Sequence, residues 1–114
     1  MTPKANVGAT SIHIGSCAAC ETIVVKTGSS VYELLVLRGE CGEILVRGGT
    51  HFAKFSPVVF VGSMRNGFPV ERHVLSIGLR MKFYFDEQVV ITSAVREISR
   101  HSTTAAAPDG AATE

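Results

Sequence analysis

The clearest pattern in the chain is a strict alternation of apolar and polar residues over positions 77–85. One side of this segment carries Ile77, Leu79, Met81, Phe83 and Phe85, and the other carries Gly78, Arg80, Lys82 and Tyr84. A period of two is typical of an antiparallel strand with one face on the core and the other in solvent. Asp86-Glu87 then predicts a tight turn, after which residues 88–93 return as the partner strand.

The preceding part of the chain consists of further short apolar runs separated by turn residues. Strands are predicted over 22–27, 31–38, 43–47 and 57–62, the last beginning with a proline that removes no ladder donor at that position. A glycine-bounded turn over 39–42 favours an antiparallel hairpin between its neighbours. Three segments have less regular patterns: 50–56 suits an edge strand or a loop, 63–69 is irregular, and 94–99 suits one helical turn followed by a short strand.

These elements predict an all-β fold, because no window shows the period of a long amphipathic helix. About six short strands in some 80 residues favour a single small antiparallel barrel. Closure is expected because a small open sheet leaves its edges unpaired and one apolar face uncovered. A Src-homology-3-like barrel is the first expectation, and an oligonucleotide-binding-type barrel is the alternative.

The length of 114 residues fits one domain, and the composition divides it into three parts. Residues 21–100 are expected to form the barrel. Residues 1–20 have no clear period and are expected to be partly ordered at most, although Ile12 and Ile14 could open a short strand. Residues 101–114 are small, polar and aperiodic, which predicts a disordered tail.

Five stretches of strand and turn residues form a series along the chain: 32–37, 44–49 with Phe52, Gly62-Ser63, 78–83 and 91–98. Together these stretches resemble small bacterial all-β proteins to which no function is assigned. The resemblance covers residues 30–98 and lies mostly in strand and turn residues, so it implies a fold and supplies no catalytic residues. The cysteines at 17 and 20 lie outside it.

Composition excludes several classes of protein. The longest apolar runs have four residues, against the roughly 20 that a membrane-spanning helix needs. No apolar export signal follows Lys4, so the expected location is the cytoplasm, where thiols stay reduced. The chain has no nucleophile-elbow motif and no glycine-rich phosphate loop. We therefore expect neither membrane association, nor an enzyme, nor a cofactor.

Three cysteines are the sharpest local candidates for chemistry. Cys17 and Cys20 have the Cys-x-x-Cys spacing that can bind zinc or form a redox dithiol, and Cys41 could add a third ligand. The fourth zinc ligand would have to be His13, His51 or His73, and no second Cys-x-x-Cys or histidine pair is present. A zinc or thiol site remains a minor alternative. We expect the three sulfurs to lie near one another without a metal.

Basic residues suggest a nucleic-acid-binding alternative. Positions 22–100 hold ten Lys/Arg and seven Asp/Glu, a difference of +3 against +1 for the whole chain. Arg80, Lys82 and Tyr84 share the polar side of the most regular strand. Cations beside an aromatic ring suit phosphate contact and base stacking.

The leading hypothesis is a non-enzymatic interaction module that binds a protein partner or itself. Segments 31–37 and 57–61 carry aliphatic residues on both faces. A barrel interior covers only one face of a strand, so the other face must be covered by a loop, a terminus or another chain. This pattern favours a homo-oligomer or a partner-binding subunit.

Overall fold

The computed structural model describes residues 6–101, so the tail predicted over 101–114 lies outside the described residues except for His101, which ends the last strand. It contains ten strands and two short 3-10 turns, Ile14–Ser16 and Gly39–Cys41, and no α-helix in this range. No helix within residues 6–101 is long and apolar enough to cross a membrane. The strands are β1 (Asn6–Ala9), β2 (Ser11–His13), β3 (Thr22–Thr27), β4 (Val31–Arg38), β5 (Glu43–Gly48), β6 (Phe52–Arg65), β7 (Phe68–Arg72), β8 (Val74–Ser76), β9 (Arg80–Phe85) and β10 (Gln88–His101).

Six of these strands pair in a closed antiparallel ring, in the order β10, β3, β4, β5, β6, β9 and back to β10. The ring closes through β9, where Phe83 lies opposite Phe60 of β6 on one side and Val90 of β10 on the other. β1 extends the sheet beyond β10, and β7 extends it beyond β6. The prediction of an all-β antiparallel fold is confirmed.

The strand β6 is much longer than the pattern indicated. It joins the ambiguous segment 50–56, the predicted strand 57–62 and the start of the irregular segment 63–69 into one 14-residue strand. Its first half pairs with β5, and its second half lies between β9 and β7. Asn66 and Gly67 both have positive φ angles, 51° and 84°, and form the tight turn into β7. The irregular pattern is therefore a hairpin.

Two boundaries at the C-terminal end also differ from the expectation. The helical turn predicted within 94–99 is wrong, because β10 runs without interruption to His101. β10 exchanges partners on the way: up to Ala94 it pairs with β9, and from Val95 onward with β3. β9 begins at Arg80 rather than at 77, because Gly78 has a φ of 91° and its N–H donates to Val95 O instead of continuing a ladder.

The described part of the N-terminal segment packs on the ring. β1 pairs with the end of β10, and β2 pairs with β8 as a separate two-stranded sheet. Ile12 lies in β2 and Ile14 opens the first 3-10 turn, and both side chains are buried. Ile14 N–H donates to His73 O at 2.8 Å, which links this segment to the residue before β8. Residues 6–20 are thus part of the folded unit.

The apolar core fills the ring, and Phe83 stands at its centre. Its ring centroid lies 5.8 Å from that of Phe60, 5.9 Å from that of Phe52 and 6.3 Å from that of Tyr32. The inward side of the 77–85 alternation is confirmed for Leu79, Met81 and Phe83, which are buried, whereas Ile77 lies before the strand and is exposed.

Candidate functional site

The outer face of the ring carries an apolar row that crosses three strands. Val59 of β6 lies opposite Tyr84 of β9, and Tyr84 lies opposite Val89 of β10. Ile91 lies two residues after Val89 in β10, opposite Lys82. Leu37 of β4 lines the same groove as Val59, with Glu43 of β5 opposite Val59 between them. Leu37, Val59, Tyr84, Val89 and Ile91 keep 37–51% of their surface exposed. These five residues are called the outer stripe below.

The outer stripe follows from alternation together with an unusual choice of residues. Phe60, Phe83 and Val90 point into the ring, so the residues beside them in each strand must point outward. At such positions a half-exposed strand ordinarily carries polar side chains. Here Val59, Tyr84 and Val89 are apolar, although Lys82 beside Phe83 is charged. A shallow groove of about 290 Å³ runs beside Val59 between Leu37, Glu43, Pro57 and Tyr84.

Four charged residues flank the outer stripe along β9 with opposite signs at its two borders, and Glu43 of β5 lies beside it, opposite Val59. Arg80 and Lys82 precede Tyr84 on β9, whereas Asp86 and Glu87 follow it in the turn to β10. Residues 6–101 contain three ion pairs, Lys26–Glu97, Arg47–Glu33 and Arg100–Glu21, and none of them involves these four residues. The border charges are therefore unsatisfied by any ion pair in the described range.

A second groove, of about 550 Å³, lies over β6 between β7 and β9. Arg72 of β7 and Lys82 of β9 lie opposite Gly62 from its two sides, so two cations flank a position without a side chain. The remaining lining is mainly apolar and includes Val61, Met64, Pro69 and Val70, together with Glu71.

The structure places the three residues of the nucleic-acid hypothesis on one outward surface. Arg80 and Tyr84 are exposed, and Lys82 is half-buried at the border of the second groove. The Arg80 guanidinium lies 3.5 Å from Thr92 O, in the neighbouring strand. Arg72 was not predicted to join them, because only the pairing of β7 with β6 brings it opposite Gly62.

The three cysteines lie in neighbouring segments and differ in exposure. Cys17 is half-buried, Cys20 and Cys41 are exposed, and all three are free thiols. Their backbone segments are adjacent, since Cys20 N–H donates to Val36 O at 2.7 Å and the two 3-10 turns pack together. Within residues 6–101 no group of three His, Cys, Asp or Glu side chains is arranged to hold a metal ion.

Cys17 instead lies beside the Glu21–Arg100 ion pair, which connects the N-terminal segment to β10. Glu21 is buried, and its carboxylate accepts hydrogen bonds from the Arg100 guanidinium and, at 3.2 Å, from Ala18 N–H. The bond from Arg100 holds the pKa of Glu21 below its ordinary value. Burial, reinforced by the charge of Glu21, raises the pKa of the Cys17 thiol. This cluster keeps the thiol protonated and has a structural role.

The Glu21–Arg100 pair predicts a loss of stability in acid. The folded carboxylate has a pKa below the ordinary value near 4.5, so the unfolded state binds more protons as the pH falls through that range. The stabilisation is complete above about pH 4.5 and disappears as the pH falls through the folded pKa. We expect Glu21→Gln to lower the free energy of unfolding by about 1–2 kcal/mol at pH 7. Urea unfolding at pH 7 and pH 3 should show this difference shrinking in acid, and a constant difference would contradict the prediction.

The histidines considered as zinc ligands have other environments. The His13 ring accepts a hydrogen bond from Gly15 N–H at 3.1 Å, and His51 is exposed beside Phe52. His73 has a φ of 59° and packs against Gly42, where a Cβ atom would lie 2.8 Å from the His73 Nε2 atom. Burial lowers the pKa of His73, and the nearby charges of Arg72 and His13 lower it further.

The chain matches no protein-family model, no curated protein and no solved structure in the three comparisons made with known proteins. Within residues 6–101, the features that point to a function are the outer stripe with its border charges and the groove between β7 and β9.

Proposed function

We propose that this protein is a non-enzymatic interaction module that associates with itself through the outer stripe. The observation that carries the proposal is the unbroken apolar row of Val59, Tyr84 and Val89 across three paired strands. Isolated exposed apolar residues are ordinary on protein surfaces, whereas contiguous ones mark contact surfaces.

The stripe has the properties of the centre of an interface. Removing the apolar surface of its aliphatic side chains and its tyrosine from water contributes about 25 cal/mol per Å². Tyrosine adds a large, stiff ring whose hydroxyl group can still reach a polar partner at the rim. Because the stripe lies on paired strands of a closed ring, little conformational entropy is lost when it binds.

The sheet edge at β7 is less suitable for association than the stripe. An exposed edge strand can accept an added strand from a partner, and all five residues of β7 are exposed. Pro69 lies in this strand and has no backbone N–H to donate. A proline in an edge strand is a common means of blocking strand addition. At β7, contact through the face of the sheet is therefore favoured over strand addition at this edge.

We further infer that the closed ring is a small barrel of the Src-homology-3-like type. Its strands follow one another as a meander from β3 to β6, and the hairpin of β9 and β10 completes the ring. The oligonucleotide-binding alternative is a Greek-key barrel, which requires a different strand order. The meander therefore supports the first alternative.

Sedimentation velocity tests self-association directly. We expect the wild-type chain to form a dimer at micromolar concentration. Val59→Lys, which places a charge in the middle of the stripe, should raise the dissociation constant at least about tenfold. The matched control is Val31→Lys. Val31 is 51% exposed and begins β4, at the end of that strand opposite Leu37, so it lies outside the stripe. A monomeric wild-type chain, or an equal effect of the control, would refute the proposal.

A second candidate function is the binding of single-stranded nucleic acid. It is favoured by Lys82 and Arg72 on either side of Gly62, beside the exposed Tyr84 ring. Cations and an aromatic platform are the two parts that such binding requires. A single-stranded oligothymidylate that bound with an affinity falling steeply with salt, and lost that affinity in Lys82→Gln, would support this function. Since both functions use Tyr84, the oligonucleotide would also compete with self-association.

A further inference from the structure

Charge is ordered along β9 and into the turn that follows it: the cations Arg80 and Lys82, then the Tyr84 ring, then the anions Asp86 and Glu87. Lys82 and Tyr84 lie on the outward side of the strand, and Asp86 is the exposed first residue of the turn, with a φ of 51°. At about 3.4 Å per residue, Lys82 lies about 7 Å from Tyr84 along the strand, and Asp86 follows in the opposite direction, where the strand has ended. Tyr84 therefore lies between two opposite charges.

The neighbouring strand β6 has a matching arrangement of apolar residues. Val59 pairs with Tyr84 and Pro57 lies two residues before it, while Val61 is the extra residue of a bulge between Phe60 and Gly62. If a second copy of this surface is laid face to face and turned end for end about Tyr84, the Val61 end of β6 in one copy lies over the Pro57 end in the other. In the same arrangement Lys82 meets the acidic turn of Asp86 and Glu87. The surface is thus complementary to itself.

We propose that two copies of this chain pair through this surface about a two-fold axis that passes between their Tyr84 side chains. The inference rests on the proposed self-association and specifies its geometry. Each copy contributes Lys82 to one ion pair and Asp86 to the other, so the contact occurs twice. Residue i then contacts residue j of the second copy and residue j contacts residue i, as a two-fold interface requires.

Electrostatics selects this orientation over the parallel one. If β9 of both copies ran in the same direction, Lys82 would face Lys82 and Asp86 would face Asp86. Turning one copy end for end replaces these two repulsions with two attractions. Among residues 6–101, Lys82, Asp86 and Glu87 are in none of the ion pairs, so forming the contact breaks none.

Sheet packing allows the contact and limits its extent. Stacked sheets lie about 10 Å apart and keep their strands within about 30° of alignment. Lysine and aspartate side chains can span that gap together. Because the ring curves away on both sides of β9, the contact is confined to β6, β9 and β10. Leu37, on β4, then borders the contact.

The experiment uses two charge-reversed variants, Lys82→Glu and Asp86→Lys, separately and mixed. Alone, each variant places like charges together twice, and its dissociation constant should rise at least about tenfold. Mixed in equal amounts, the two variants restore both ion pairs. One pair joins the two introduced side chains, and the other joins the native Asp86 of the first variant to the native Lys82 of the second. Light scattering and exchange of labelled subunits should then show a mixed dimer within about threefold of the wild-type affinity.

Controls separate this geometry from general effects of charge or folding. Lys54→Glu makes the same charge change at an exposed position of β6 outside the proposed contact, and it should dimerise like the wild type. Asp86 has a φ of 51°, which suits aspartate better than lysine. Circular dichroism is therefore used to check that the Asp86→Lys variant is folded. Restored association in the mixture itself requires that both variants be folded.

The possible failures are distinguishable. A wild-type dimer that is unaffected by either reversal, or a mixture that stays monomeric, would overturn this geometry and leave self-association intact. Assemblies larger than a dimer would indicate a head-to-tail contact and would also overturn it. The dissociation constant of a weak contact is on the order of 100 micromolar. A wild-type chain that is still monomeric at about that concentration would overturn both proposals.

Discussion

Replacing Phe83 with alanine is expected to lower the free energy of unfolding by about 3–5 kcal/mol. The side chain is fully buried, and it packs against three other aromatic rings. Its position in β9 is also the one that closes the ring, between Phe60 and Val90. Truncation therefore leaves a cavity that neighbouring side chains cannot fill without disturbing the pairing on both sides.

Chemical denaturation monitored by circular dichroism measures this effect. A domain of this size is ordinarily stable by about 5–15 kcal/mol, so the variant is expected to be close to unfolding. The control is Phe68→Ala, because Phe68 is also an aromatic residue of the sheet but is 73% exposed. The control should change stability by less than about 0.5 kcal/mol. Equal losses in the two variants would contradict the assignment of the core.

Replacing Gly48 with alanine is expected to cost about 3 kcal/mol or more, for two reasons that add. Gly48 has a φ of 132°, a conformation that residues with a side chain rarely adopt. A Cβ atom there would overlap the carbonyl oxygen of Val31 and lie 2.9 Å from the Cα atom of Tyr32. Both obstacles are backbone atoms of β4, so they cannot move without breaking the β4–β5 pairing.

The variant Gly78→Ala separates the conformational cost of a positive φ from the cost of the overlap with backbone atoms. Gly78 also has a positive φ, 91°, but no atom lies within 4 Å of the position its Cβ would take. This variant should lose only about 1 kcal/mol, the usual conformational cost. Thermal or chemical unfolding of the two variants side by side measures the difference. If both variants lost the same amount, the close approach of β4 to Gly48 would be disproved.

The outer stripe consists of the same apolar residue types as the core, and self-association would bury them, which has a consequence for stability. Exposed valine, isoleucine and tyrosine on a strand add apolar surface without adding to the core of a single chain. Their burial in a dimer would couple folding to association, so the apparent stability should increase with protein concentration. Val59→Lys should remove that dependence while leaving Phe83 and its neighbours undisturbed.

The class of fold and several strands can be predicted from the chain because their signals are local. The predicted strands 22–27 and 31–38 coincide with β3 and β4. Alternation shows which residues point inward, and it correctly placed Arg80, Lys82 and Tyr84 on one outward side. Turn residues such as Asp86-Glu87 act through their own φ and ψ angles, so their effect is also visible locally.

The long strands β6 and β10 could not be predicted from local patterns. Each exchanges its pairing partners part-way, β6 between β5 and the two strands β7 and β9, and β10 between β9 and β3. The burial pattern changes at each exchange, so no single period runs through the strand. In 94–99 the backbone hydrogen bonds offered by β3 outweigh any local helical preference, because the pairing is non-local.

In the candidate surface too, some features follow from the local sequence and others depend on the tertiary fold. Alternation along β9 is enough to point Tyr84 outward, and the order of residues alone puts Lys82 and Asp86 two positions on either side of it. That Val59 and Val89 join Tyr84 in one row depends on the three-dimensional fold, because strand register is set by closure of the ring. A shift of one residue in either pairing would turn outward side chains inward and bring aromatic core residues to the surface, which the burial of Phe60 and Phe83 opposes.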